Sequence, residues 1–162
     1  MPSLSRNTVL ALIGVSLVLH DTEEYLTFPT FLRSYSPLQR WVPQASLLRN
    51  PHNIHLALVM ATVLPLVVIV WAILRPKKGL LIAALLLESV LLVNAFWHIL
   101  AAFVRGGYAP GVITAVLINL PFGIYVLRRA VKEQWIGTRT AWQLIGIAAV
   151  LHLVAIGSFL AG

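Results

Sequence analysis

Cysteine is absent from this chain of 162 residues, which excludes disulfides and thiolate-held metals. Acidic residues are almost as scarce: five in all, in a chain that is 10% charged and 59% hydrophobic. So little charge cannot cover the water-facing surface of a globular domain of this length, and the mean hydropathy is +0.89. Lipid must therefore face much of the molecule. The shortage of acid leaves a formal charge of +7, which invites a nucleic-acid reading that the positions exclude. Arg75, Lys77, Lys78, Arg128, Arg129, Lys132 and Arg139 lie between apolar blocks, where topology signals belong. Contact with anionic lipid headgroups is the modest alternative role. Repeats and low-complexity linkers are also missing, so residues 1–162 are expected to form one helical bundle.

Five segments approach the length of about 20 residues that crosses a bilayer as helix. They run from Val9 to Leu32, His55 to Leu74, Leu80 to Val104, Ala109 to Leu127 and Thr140 to Leu160. The first is preceded by Arg6 like a signal peptide, but no small-x-small cleavage signal precedes His20 and apolar sequence resumes at Tyr25. An uncleaved span is expected. Residues near 33–51 carry Trp41 with Arg40 and Arg49, and are expected to lie along the membrane interface. Lys and Arg divide eight to four between the two sides of this arrangement. The excess puts the N-terminus in the cytoplasm and the C-terminus outside, with the plasma membrane as location.

The stretch LHDTEEYLTF, residues 19–28, interrupts the first span with His20, Asp21, Glu23 and Glu24. On a helix, His20, Glu23 and Glu24 share a face, while Asp21 turns about 100° away. A solvated helix end would explain these groups, except that YLTFPTFL prolongs the apolar run beyond them. Ionisable groups inside a span cost several kcal/mol and point to function. In the third span, Asn94 and His98 of NAFWH share a second face, a pairing that also serves as an interhelical hydrogen bond. RGGYAPG follows, a glycine- and proline-rich turn that sets Tyr108 either over a site or in an interfacial aromatic belt. His55 opens the second span as ligand or interface residue, and Glu88 sits among apolar residues with no soluble explanation. Its offset of about 80° from His98 makes one shared coordination shell doubtful. His152 reads as a hydrogen-bonded core histidine ahead of a partner for Glu88.

These residue types allow three chemistries. His20, Glu24 and His98, with His55 or Glu23 as fourth ligand, suit zinc or non-haem iron, with Asn94 orienting a ligand or bound water. Such a metalloenzyme would hydrolyse, hydrate or oxidise a lipid or other apolar small molecule, with Glu23, Glu24, Tyr108 and Glu88 as the candidate catalytic groups. Without a metal, Glu24 and Glu88 would act as acid and base on an isoprenoid or sterol-like alkene. A non-enzymatic lipid-binding or transport protein is the third reading.

HDTEE, NAFWH, and the His-x9-Tyr-x-Pro-Gly run from His98 to Gly111 together resemble the HXXEE family of integral membrane proteins. The resemblance spans essentially the whole chain and implies that His20, Glu23, Glu24, Asn94, His98, Tyr108, Pro110 and Gly111 are signature positions. It implies no activity, and His55 and Glu88 fall outside the signature. LHDTEEY is also similar, more faintly, to the His-xxx-Glu step of emopamil-binding-type sterol isomerases. That likeness favours the acid–base reading.

Overall fold

The computed structural model describes residues 4–34 and 51–161, and every regular element among them is helical. The expected interfacial segment, with Trp41, Arg40 and Arg49, falls largely outside the described residues. Five long helices follow in order: α1 (Arg6–Ser34), α2 (Pro51–Leu74), α3 (Lys78–Arg105), α4 (Val112–Lys132) and α5 (Thr138–Ala161). The last four contain stretches long and apolar enough to cross a membrane, as a membrane protein requires. The first has the length, at 29 residues, but its run of acids keeps it out of that class.

Helix α3 lies at the centre and touches each of the others, while α1 packs mainly along α2 and α5 mainly along α3. The apolar core fills the half of the bundle nearer the start of α1. Val9, Leu10, Ile13 and Leu17 meet Ile69 of α2, Leu85 of α3 and Val126 of α4 there. Outward faces remain apolar: Val67, Val70 and Trp71 on α2, and Leu153 and Val154 on α5, are all exposed. Only 11% of the apolar stretch of α2 is buried, so this helix presents nearly all of itself to the surroundings. Lipid is the solvent that such a surface fits.

Two local devices set the far end of the bundle. Helix α3 stops at Gly106, whose φ of +68° lets its N–H and that of Gly107 bond back to the Phe103 and Ala102 carbonyls. After the short turn, α4 starts at Gly111, also left-handed at φ +78°. Helix α4 then widens into one π turn over Ala115–Asn119, one residue short of Pro121. The wider turn keeps Thr114 and Asn119, five residues apart, facing the same neighbour. Thr114 bonds His20, and Asn119 accepts from Ser16 Oγ at 2.7 Å, one α turn earlier on α1.

Candidate functional site

The interrupting acids of α1 point into the bundle. His20 is fully buried and Asp21 is nearly so, while Glu23 and Glu24 are half-buried. The α-helical spacing aims His20, Glu23 and Glu24 at α3 and at the turn leading into α4. Asp21 is rotated toward α2, where Thr62 Oγ1 donates to its carboxylate at 2.5 Å.

Glu23 is held by four donors. The Tyr108 hydroxyl (2.8 Å) and the Ile113 N–H (3.2 Å) reach Oε1. The Thr114 N–H (2.8 Å) and hydroxyl (2.6 Å) reach Oε2. These bonds occupy the carboxylate, so Glu23 acts as the peg that pins the start of α4 to α1. Burial raises the Tyr108 phenol above its ordinary range, and the Glu23 charge adds to this, which keeps the tyrosine a donor at neutral pH.

Thr114 carries the consequence to His20. Its one hydroxyl proton goes to Glu23, so its oxygen accepts from His20 Nδ1 at 2.8 Å. That fixes the ring tautomer, with the lone pair on Nε2 turned toward Asn94. The Asn94 amide lies 2.8 Å from His20 Nε2 and 2.9 Å from His98 Nε2. The Asn94 amide thus lies between the two rings, and both Nε2 atoms face one region. Glu24 completes it: Oε1 is 3.2 Å from His98 Nε2. His20, Glu24 and His98 each bring a ligand atom within 4.8 Å of the other two.

Gly111 closes the site from above. A Cβ there would lie 2.8 Å from His20 Cε1 and 3.0 and 3.1 Å from the His98 ring. The His–Tyr–Pro–Gly spacing thus has a physical reason, since only glycine supplies both the left-handed turn and the space for two rings. Those rings sit edge to face at 4.8 Å.

Six of the expected residues therefore meet at one place: His20, Glu23, Glu24, Asn94, His98 and Tyr108. His55 stands apart, stacked on Tyr25 at 4.1 Å, and is no member of the three-residue cluster. Glu88 lies deeper in the bundle, fully buried against Gly123, with neither carboxylate oxygen bonded among the described residues. His152 stacks on Trp97 at 5.8 Å. Thr114 is the member of this network that the sequence concealed. An isolated threonine in VITAV carries no pattern of its own.

The family described as "Protein of unknown function with HXXEE motif" matches residues 11–126. No curated protein and no solved structure matches the chain, so the likeness to emopamil-binding-type isomerases rests on the His-xxx-Glu step alone.

Proposed function

We propose that this chain, which belongs to the HXXEE family, is a membrane enzyme whose His20, Glu24 and His98 hold a divalent cation, zinc or iron, and which acts on a lipid or other apolar small molecule. On this reading α1 is a fifth span with its start in the cytoplasm, an orientation that the excess of Lys and Arg on that side supports, and the membrane is the plasma membrane. The observation that carries the proposal is the meeting of three electron-pair donors: two imidazole Nε2 atoms and a carboxylate oxygen, held by Asn94, Thr114 and the α1 backbone. Two ligands bound tetrahedrally at about 2.0–2.1 Å stand roughly 3.3 Å apart, and His98 and Glu24 stand at 3.2 Å. His20 would close the remaining gap by a small ring movement, with Asn94 yielding its place between the rings.

A cation held there supplies Lewis-acid activation of a water, for hydrolysis or hydration, and iron adds oxidation. The chain's own residues do the rest. Glu23, through Thr114, keeps the His20 lone pair aimed inward, and Asn94 holds both imidazoles in place until a cation displaces it. Tyr108 and Gly111 cover the outer side. The 3.2 Å contact also favours a second reading, in which His98 is protonated and pairs with Glu24 as a metal-free acid–base couple. Glu88, lodged against Gly123, has no bond to that couple.

Elemental analysis of purified protein, wild type beside His98→Ala, separates the two. Stoichiometric zinc or iron that is lost in the variant supports the metal reading. Added metal at 100 times its Kd should also stabilise the wild type by about 2.7 kcal/mol and leave the variant unmoved. Protein that binds neither metal after reconstitution leaves the acid–base couple.

A further inference from the structure

A cavity of about 240 Å³ lies beside the cluster, on the α2 side of α1. Ile13, Leu17, Pro65, Ile69, Leu87 and Leu91 make it apolar along most of its length. The lining turns polar at Asp21, Glu24, Asn94 and His152. Glu24 and Asn94 belong to the cluster's own network, so the cavity opens onto the site. A second, lipid-facing cleft of about 250 Å³ runs along the outside of the same helix pair, walled by Val18, Leu58, Val59 and Val63. Asp21 borders both spaces, and its 2.5 Å bond from Thr62 closes the seam between them.

We propose that the cavity binds the apolar chain of a lipid-like molecule, about ten carbons of it, and that the chain enters from the bilayer between α1 and α2 through the Asp21–Thr62 seam. The size follows from the volume: an apolar cavity of about 150 Å³ admits a six-carbon benzene, so 240 Å³ takes roughly ten carbons in proportion. Glu24 and Asn94 fix the direction, with the polar end of the ligand toward the cluster. That last assignment rests on the cluster being the reactive site; the chain site itself stands on the cavity. A carboxylate is an expensive bolt for a merely structural seam, because its burial costs more than one hydroxyl bond returns. Helix α2 is built to yield. Pro65 removes the helical donor to the Ala61 carbonyl one turn from Thr62, and most of this helix is unburied.

The test is photolabelling in lipid nanodiscs with a decyl alcohol bearing a terminal diazirine, with labelled residues located by mass spectrometry. Label that competes with unlabelled decanol and concentrates on Leu87 and Leu91 is the expected result, and Leu91→Phe should reduce it several-fold. Val59→Trp fills the outer cleft from the lipid side without touching the core. It should slow labelling of Leu87 and Leu91 several-fold while leaving the end point unchanged. Label spread evenly over lipid-facing residues of α2 and α5 overturns the chain site. An unaltered time course in Val59→Trp overturns the route. Repeating the labelling with metal stripped by chelator keeps the questions apart. Labelling without bound metal upholds the cavity even if the cation reading fails, and a metal-loaded protein with unlabelled α3 sinks the cavity alone.

Discussion

Gly111→Ala tests the roof of the site with one methyl group, and Gly106→Ala supplies its control. Both glycines are left-handed, at φ +78° and +68°, so each alanine incurs a backbone cost of about 1–2 kcal/mol. Their surroundings differ. Nothing lies within 4 Å of a Cβ at Gly106, whereas one at Gly111 meets His20 at 2.8 Å and His98 at 3.0 Å. These rings are bonded on their other sides to Thr114 and Asn94, so they cannot retreat without breaking those bonds. Overpacking of this kind adds about 1–3 kcal/mol. Gly106→Ala should therefore cost about 1–2 kcal/mol and Gly111→Ala about 2–5 kcal/mol. Unfolding of both variants in one detergent, followed by tryptophan fluorescence against denaturant, measures the difference. Equal losses would refute the packing of Gly111 on the imidazoles, and with it the steric reason for glycine at the end of the Tyr-x-Pro-Gly turn.

Two other substitutions probe the supports. Thr114→Val keeps the shape but leaves His20 Nδ1 and Glu23 without a shared partner. It should cost about 1–3 kcal/mol in denaturant unfolding, and lower metal affinity about 10–100-fold by competition titration. Glu88→Met replaces a buried carboxyl that has no bonded partner among the described residues by an apolar chain of similar length, and should raise thermal stability. A lower Tm would mean that Glu88 has a partner in the folded protein.

Much of this arrangement was legible in the sequence because polar residues are rare in an apolar chain. His20, Glu24, Asn94 and His98 stood out for lack of company, and helical spacing assigned each to a face. The charged turn at Arg75 to Lys78 set the end of α2 at Leu74 and the start of α3 within two residues, whereas α2 begins at Pro51, four residues before the expected His55, and α4 runs from Val112 to Lys132 against an expected Ala109 to Leu127. Depth and angle also set Glu88 apart from His98. What the sequence did not display depends on register between helices. Thr114 reaches His20 only because the turn after α3 is short and left-handed at both ends. The Ser16–Asn119 rung depends on a π turn that no periodicity announces. The 100° rotation of Asp21 away from the shared face was legible, but its partner, Thr62, lies on a helix whose register the sequence left open.

Glu23 and Glu24 are neighbours of one type, yet the structure gives them opposite surroundings. Four donors converge on Glu23, two of them backbone N–H groups that have no other carboxylate to meet. Glu24 faces His98 Nε2 and the apolar cavity. Glu23→Gln turns one acceptor oxygen into an N–H₂ group facing donors, which should cost about 1–3 kcal/mol for each donor stranded. Its effect on metal content should be indirect and smaller. Glu24→Gln removes a ligand charge without stranding a donor, so stability of the metal-free protein should change by less than about 1 kcal/mol while the metal is lost. Unfolding free energies and metal content, measured together on the two variants, should cross over. If both acids move both quantities alike, the division of the Glu–Glu pair into a peg and a ligand is wrong, and the pair acts as one charged unit.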